Sequence, residues 1–180
     1  MADLPGKAFQ KKRNHISKFM RNFAENWQFL FSYNEISAKN VEEMQKIYKI
    51  WLNSRKTEKQ DDFLNSEEKS INIAFKDFIK LNLLAGILYA KGEPIAFLIG
   101  SFTSESCINV HFEKCLDEYA DFGALSVLNQ QFAKSVKKAF PNCQYLNREE
   151  DLNIPGLRKS KLSYQPEMLV QKYYGSLKKA

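Results

Sequence analysis

The stretch that most restricts the fold is AGILYAKGEPIAFLIGSF, residues 85–102, in which two apolar segments flank a short Lys-Gly-Glu turn. This pattern is typical of a β-hairpin, and Gly92 can supply the positive φ that the turn requires. In the next segment, residues 106–114, apolar and polar side chains alternate with the period of a strand. Its polar members include Asn109, His111 and Glu113. We therefore predict three consecutive antiparallel strands, the third with these polar side chains on one face.

The segments around these strands predict helices and further strands. Apolar residues recur at helical spacing over 40–54, 66–81 and 121–138, with Asn40 and Ser66 as expected caps of the first two. Large aromatic residues alternate over 26–33, as in a half-buried strand. Short strands are also predicted at 143–147 and 167–174, a mobile loop at about 53–66, and a short helix from Pro155. The order predicts an α/β (α+β) fold with a mixed, mostly antiparallel sheet flanked by helices.

Composition narrows the class of protein. The chain has 180 residues, of which 44% are hydrophobic, enough for one sizeable core. Its longest apolar run is far shorter than the ~20 residues of a spanning helix, and the N-terminus lacks the apolar region of a signal peptide. We therefore expect a cytoplasmic protein without a transmembrane segment. Three cysteines and two histidines, without a CxxC pair, predict neither a disulfide framework nor a zinc site.

A net charge of +6 permits an anionic partner, and the basic residues concentrate near the N-terminus. Residues 7–23 have one apolar stripe, and the other faces carry basic residues without any acid. Lys11, Lys12 and Arg13 are candidate contacts for a nucleic acid backbone or an anionic bilayer. The alternative is an ordinary solvated helix face.

A second charged segment, NREEDLNIPGLRKSKLSY, covers residues 147–164. A helix from Pro155 would place Arg158 and Lys161 at i, i+3, with Lys159 beside them. Asn147 and Arg148 stand at the end of the predicted strand, where binding residues often lie. The arginines and lysines either bind a phosphate or carboxylate of a substrate or pair with the acids at 149–151. The sequence leaves both interpretations open.

Five segments together resemble the phosphatidylglycerol lysyltransferase C-terminal domain family. They are QKKRNHISKF, GILYAKGEPIAFLIG, VHFEK, LNQQFAK and YLNREEDLNIPGLRKSKLSYQP, in the family's order. The resemblance implies a GNAT-like acyltransferase fold. Members of the soluble kind usually carry two GNAT-like halves, and this chain resembles the second half. Residues 1–24 would then be the basic helix that links the halves, and residues 25–180 the GNAT-like domain.

The resemblance also implies a reaction and a site. Characterised relatives move an amino acid from aminoacyl-tRNA to a lipid headgroup, and Fem-type relatives to a peptidoglycan precursor. In a GNAT-like fold the third strand of the meander splays from its neighbour and opens a V-shaped cleft, which makes Glu113 the candidate base and His111 an assisting or relaying group. Asn147, Arg148, Arg158, Lys159 and Lys161 would bind substrate. Alternatively, the polar face is solvated or hydrogen-bonded to a helix.

The sequence leaves open which molecule donates the acyl or aminoacyl group. CoA-using GNAT enzymes hold pyrophosphate with an Arg/Gln-x-x-Gly-x-Gly/Ala loop at a helix N-terminus. Here the corresponding stretch, DEYADFGALSV, has one glycine, Gly123, preceded by acids. This disfavours acyl-CoA and is compatible with aminoacyl-tRNA. Expected partners are tRNA, a small-molecule, lipid headgroup or peptide acceptor, and an N-terminal GNAT-like half or a second copy.

Two other functions stay open at this point. One is a non-catalytic basic module that binds RNA or an anionic partner. The other is a CoA-dependent N-acetyltransferase.

Overall fold

The predicted hairpin forms the middle of a five-stranded sheet with the order β1-β2-β3-β4-β5. The structure is a computed structural model that describes residues 1–55, 62–171, 173 and 175. Its strands are β1 (Trp27–Tyr33), β2 (Leu83–Ala90), β3 (Glu93–Ser104), β4 (Cys107–Cys115) and β5 (Tyr145–Asn147). Neighbouring strands from β1 to β4 pair antiparallel, and β4 pairs with β5 in parallel. The mixed, mostly antiparallel sheet is therefore confirmed.

The helices lie on both faces of this sheet, apart from the last one. They are α1 (Gln10–Phe23), α2 (Ala38–Asn53), α3 (Asp62–Lys76), α4 (Asp117–Ala120), α5 (Ala124–Ala139) and α6 (Pro155–Leu162). A 3-10 turn, Lys7–Phe9, precedes α1. The chain divides into two compact units, Met1–Glu149 and Glu150–Ala180, so α6 belongs to the second unit.

Each face of the sheet has its own apolar core. The core on the α5 side contains Phe19 and Phe23 of α1, Leu84, Leu88 and Leu98 of the hairpin, and Val127, Leu128 and Phe132 of α5. The core on the α3 side contains Met44 and Ile47 of α2, Ile71 and Phe75 of α3, and Ile87, Phe97 and Ile99 of the hairpin. β2 and β3 contribute side chains to both cores, which explains their nearly continuous apolar sequence.

Several predicted boundaries differ from the structure. Ser37, not Asn40, caps α2, because its Oγ accepts the backbone N–H of Asn40 at 3.1 Å. Ser66 lies inside α3, which starts four residues earlier, at Asp62. Of the predicted loop, residues 56–61 lie outside the described residues. The predicted strand at 167–174 is wrong for residues 167–171 and 173, which have no strand structure, while 172 and 174 are not described.

Across the part of the chain that the structure describes, no helix combines the length and the apolar character needed to cross a bilayer.

Helix α5 begins at a position that requires glycine. Gly123, its N-cap, has φ +93°, which is in the left-handed region. A Cβ atom at this position would lie 2.4 Å from the backbone oxygen of His15 in α1. Gly123 therefore permits both the local turn and the close packing of α1 on the start of α5.

We predict that Gly123→Ala destabilises the protein, since the substitution adds a strained φ to a clash with the α1 backbone. A positive φ alone costs about 1–3 kcal/mol, and the free energy of unfolding in urea should fall by at least that amount. Gly156→Ala in α6 is the matched control, because a Cβ there meets no atom within 4 Å. An equal effect of the two substitutions would contradict this account.

Candidate active site

A β-bulge in β4 determines where the polar side chains of this strand lie. Ile99 of β3 pairs with Phe112, but the next residue, Gly100, pairs with Val110, so His111 is an extra residue in β4. A Cβ at Gly100 would lie 2.5 Å from the backbone oxygen of Asn109, so the position in β3 beside the bulge requires glycine. The bulge shifts the alternation of β4 by one residue.

The predicted common face of Asn109, His111 and Glu113 is therefore wrong. His111 hydrogen-bonds to Ser101 and lies on the α3 side of the sheet, in a pocket with Ile99. Glu113 instead contacts Asn129 of α5, on the opposite side. The two predicted catalytic residues are on different faces of β4.

Glu113 lies in a network of short hydrogen bonds. Asn129 Nδ2 donates to Glu113 Oε1 at 2.6 Å, and Arg148 Nη2 donates to Glu113 Oε2 at 2.6 Å. The side chains of Glu113 and Arg148 are only 15% and 13% exposed, so this is a largely desolvated ion pair. Asn129 also donates to the Leu125 carbonyl oxygen at 2.8 Å, which fixes its amide group. Both carboxylate oxygens of Glu113 thus have a donor.

Lys12 of α1 adds a second cation to this network. Burial and then the positive charge of Arg148 lower the pKa of Lys12 to about 8, while Glu113 acts in the opposite direction. The pKa is thus closer to neutrality than that of an exposed lysine. Perturbed lysines of this kind are frequent at functional sites. We name Lys12, Glu113, Asn129 and Arg148 the Glu113 cluster.

The Glu113 cluster lies where β4 and β5 separate. Their parallel pairing covers Cys107–Asn109 and Tyr145–Asn147. Among the described residues, no strand continues this pairing beyond Asn109. The Arg148–Glu113 ion pair crosses the resulting opening on the α5 side of the sheet. On the α3 side, Glu149 crosses it to reach His111, with 2.7 Å between Glu149 Oε1 and His111 Nδ1.

Asn147 holds the turn that sends these two side chains across the opening. Its Oδ1 accepts the backbone N–H of Glu149 at 2.9 Å, and Glu149 has a positive φ of 53°. Arg148 and Glu149 follow each other in the sequence and reach opposite faces of the sheet. Asn147 therefore positions Arg148 and Glu149 by fixing the backbone turn that carries them.

Helix α1 covers the start of α5, close to the Glu113 cluster. Besides the contact between Gly123 and His15, Lys18 Nζ donates to the backbone oxygen of Asp121 at 2.7 Å. His15 Nδ1 is 3.5 Å from Ser126 Oγ in the first turn of α5. The N-terminus of α5 is therefore occupied by atoms of α1.

The predicted anion contacts of α1 have three different environments. Arg13 donates to the backbone oxygens of Leu4 and Gly6 at 2.6 and 2.7 Å, so it anchors the N-terminal segment. Lys12 belongs to the Glu113 cluster. Lys11 is exposed.

In the second unit, the predicted substrate-binding residues have internal contacts. Arg158 Nη2 donates to Asp151 Oδ1 at 3.1 Å, and Lys161 Nζ donates to the backbone oxygen of Glu150 at 2.6 Å. Arg158 thus forms the internal pair that the sequence left open as an alternative. Lys159 is exposed.

Sequence reasoning missed Asn129, Ser101 and the contact of Glu149 with His111, since it considered Glu149 only as a partner of the arginines. Asn129 follows Leu125 by four residues and so falls on the apolar stripe of α5, where a polar residue is a detectable signal. Ser101 carries no comparable signal, because one serine at the end of an apolar strand is ordinary. Burial raises the pKa of the Cys115 thiol to about 12, which disfavours its thiolate form.

Comparison with solved structures identifies the fold as that of the GNAT acyltransferases. An aminoglycoside acetyltransferase from an uncultured soil metagenomic sample, in complex with sisomicin, matches with a TM-score of 0.56 and 9% identity, over 88% of this chain and 99% of that protein. The family follows from a match of the amino-acid sequence rather than from the fold. The family described as "Phosphatidylglycerol lysyltransferase, C-terminal" matches residues 1–175, and the chain belongs to it.

Three proteins that are similar to this chain are about twice as long. A conserved protein of unknown function from Bacteroides thetaiotaomicron is 33% identical, with a TM-score of 0.80 over 93% of this chain and 53% of that one. L-PGS from Bacillus licheniformis has a TM-score of 0.58 and 17% identity over 92% of this chain and 54% of its own. An uncharacterized protein of Mycoplasmoides gallisepticum is 26% identical over 94% of this chain and 51% of its own length. The chain thus spans about half the length of these relatives.

The burial of the Glu113–Arg148 ion pair predicts that a single substitution lowers the free energy of unfolding more than a substitution of both residues. Glu113→Gln leaves a largely buried arginine without its counter-charge, which costs up to about 3–5 kcal/mol in the free energy of unfolding. Glu113→Gln combined with Arg148→Gln removes both charges and should recover most of this loss, as measured by urea unfolding.

The exposed pair of Asp3 and Lys137, at 3.0 Å, is the control for the buried one. Asp3→Asn should change the free energy of unfolding much less than Glu113→Gln does, because water screens an exposed ion pair. If the double variant were no more stable than Glu113→Gln, the ion pair would not explain the loss.

The lowered pKa of Lys12 predicts that the free energy of unfolding depends on pH. Because its folded pKa is lowered from 10.5 to about 8, the folded protein binds fewer protons than the unfolded chain between these values. Its contribution to the free energy of unfolding therefore rises with pH across this window. We expect the stability of the wild type relative to Lys12→Met to increase from about pH 8 to 10.5 in urea unfolding.

Lys11→Met is the matched control, since Lys11 is the exposed neighbour of Lys12 on the same helix. Its stability difference from the wild type should change less with pH. Parallel pH profiles of the wild type and Lys12→Met would show that Lys12 is not desolvated.

Proposed function

We propose that this chain is an acyltransferase domain that moves an aminoacyl or acyl group from an activated donor to an amine or hydroxyl acceptor. The observation that carries the proposal is the opening between β4 and β5, crossed by the Arg148–Glu113 ion pair at 2.6 Å. Such an opening in a GNAT-like sheet is where acyl group and nucleophile would meet. The membership of the family described as a phosphatidylglycerol lysyltransferase C-terminal region supports an aminoacyl group and a lipid headgroup.

Glu113 and Arg148 have linked roles in this proposal. Both oxygens of Glu113 accept hydrogen bonds, so a substrate has to replace one donor before Glu113 can take a proton from it. An anionic part of the donor or acceptor would draw Arg148 to itself, since guanidinium binds phosphate and carboxylate groups in a bidentate manner. Glu113 would then be the general base for the ammonium or hydroxyl group of the acceptor. His111 lies on the other face of β4 and takes no part in this step.

Aminoacyl-tRNA fits as donor better than acyl-CoA. An acyl-CoA bound in the usual GNAT manner needs the N-terminus of the helix after the third meander strand for its pyrophosphate. Here α1 occupies the N-terminus of α5, with the His15 carbonyl oxygen directly above Gly123. The exposed Lys11 and the net charge of +6 favour a polyanionic donor.

The reaction is tested with lysyl-tRNA as donor and phosphatidylglycerol vesicles as acceptor. We expect the purified chain to form lysylated lipid, and the Glu113→Gln/Arg148→Gln double variant, in which the charge balance is kept, to lose at least about 100-fold in rate. Acetyl-CoA should not raise the melting temperature of the wild type. Lysylated lipid formed at the wild-type rate by the folded double variant would remove Glu113 and Arg148 from the mechanism.

The basic surface of residues 7–23 favours a second candidate, a non-catalytic module that binds RNA. Lys7, Lys11 and Arg21 are exposed on this segment, which has no acidic residue between positions 7 and 23. Binding of uncharged tRNA with a steep salt dependence, and no loss of the aminoacyl group from charged tRNA, would support the module over the transferase.

A further inference from the structure

Three side chains on the α3 side of the sheet form a continuous hydrogen-bonded relay. Ser101 Oγ of β3 is 2.8 Å from His111 Nε2 of β4, and His111 Nδ1 is 2.7 Å from Glu149 Oε1. With the proton of the neutral imidazole on Nδ1, facing the carboxylate, Nε2 accepts a hydrogen bond from the serine hydroxyl. This is the order of contacts by which a hydroxyl nucleophile, a base and an orienting carboxylate cooperate.

Irregular backbone lies at two members of the relay, His111 and Glu149. The bulge at His111, opposite Gly100, leaves His111 on the face of Ser101 while Glu113 lies on the other face. Glu149 reaches the ring from a positive φ of 53°, and Asn147 Oδ1 holds this turn by accepting the Glu149 N–H. Strained backbone that converges on one cluster of polar groups is typical of functional sites.

The serine and histidine end of the relay opens into an apolar pocket of about 250 Å³. Its lining is formed by Ser70, Ile73, Ala74, Leu81, Leu83, Ile99 and Phe112, together with Ser101 and His111. Ile73 and Leu81 are exposed at 55% and 44%, so the pocket has an apolar rim that solvent reaches. An apolar pocket with a few convergent polar groups is the usual form of a small-molecule site.

We propose that Ser101 is a nucleophile towards esters with a small apolar acyl group. His111 Nε2 takes the proton of Ser101 as Oγ attacks the ester carbonyl carbon, and the C–O bond to the alcohol breaks. The alcohol leaves with the proton from His111, and the acyl group stays on Ser101 as an ester. Water then attacks this ester with His111 again as base, which releases the carboxylic acid and regenerates the serine. Glu149 orients His111 and stabilises its imidazolium form.

This activity is independent of the transfer proposed for the Glu113 cluster, because the two sites lie on opposite faces of β4. Loss of either activity leaves the residues of the other in place.

An alkyl fluorophosphonate tests the nucleophile directly, since an activated serine displaces fluoride and forms a stable phosphonate ester. We expect a single adduct on Ser101 of the folded protein, detected by intact mass and peptide mapping, and no adduct at this position in urea. Ser101→Ala should abolish it. His111→Gln should slow it at least about 100-fold, and Glu149→Gln at least about tenfold. p-Nitrophenyl butyrate should be hydrolysed faster than the acetate, because the pocket is apolar.

Ser104→Ala is the matched control, since Ser104 is on the same strand and hydrogen-bonds to Ser106 rather than to a histidine. It should keep the wild-type labelling rate. Absence of an adduct on Ser101 in the folded wild type would overturn the proposal, whatever the stability of the variants. So would equal labelling of Ser101 in Glu149→Gln and the wild type, because a purely structural relay would not affect the reactivity of the hydroxyl.

Discussion

The extra residue at His111 in β4 is the constraint on which the site depends. It is accommodated because Gly100 has no Cβ, which would lie 2.5 Å from the backbone oxygen of Asn109. Without the bulge, His111 and Glu113 would share a face and their networks would merge. With the bulge, the Glu113–Arg148 ion pair faces α5, and the relay of Ser101, His111 and Glu149 faces α3. One backbone irregularity thus separates two chemically distinct environments on neighbouring residues.

The second determinant is the contact of α1 with α5. In the GNAT fold the start of this helix is suited to a phosphate group, since its backbone N–H groups and dipole favour an anion. In this protein α1 takes that position, and Gly123 permits the contact by leaving room for the His15 carbonyl. The same helix brings Lys12 to Glu113 and Arg148. A basic helix therefore covers the start of α5 and contributes Lys12 to the Glu113 cluster.

Elements with a two-sided apolar pattern were predicted well from the sequence. The hairpin of β2 and β3 and the strand β1 are found where their side-chain periodicity placed them, because these strands bury both faces or alternate large aromatics against α5. Ends of elements were predicted less well. Asn40 and Ser66 are both good capping residues, but α2 begins at Ala38 after the Ser37 cap, and α3 begins at Asp62. For the segment after α6, an apolar run suggested a strand, yet residues 168–170 have exposed side chains and no sheet partner among the described residues.

The sequence by itself determined the fold class, the meander and the family, since these depend on periodicity and on motifs that are continuous along the chain. It also identified Glu113, His111 and Arg148 as residues of interest. Only the tertiary structure decided which of them meet. A one-residue bulge reverses the face of every side chain beyond it. The alternation of residues 106–114 does not indicate that a bulge is present. The pairing of Arg148 with Glu113, and of His111 with Ser101 and Glu149, depends on contacts between segments distant in sequence. Such contacts are set by packing of the whole domain rather than by local pattern.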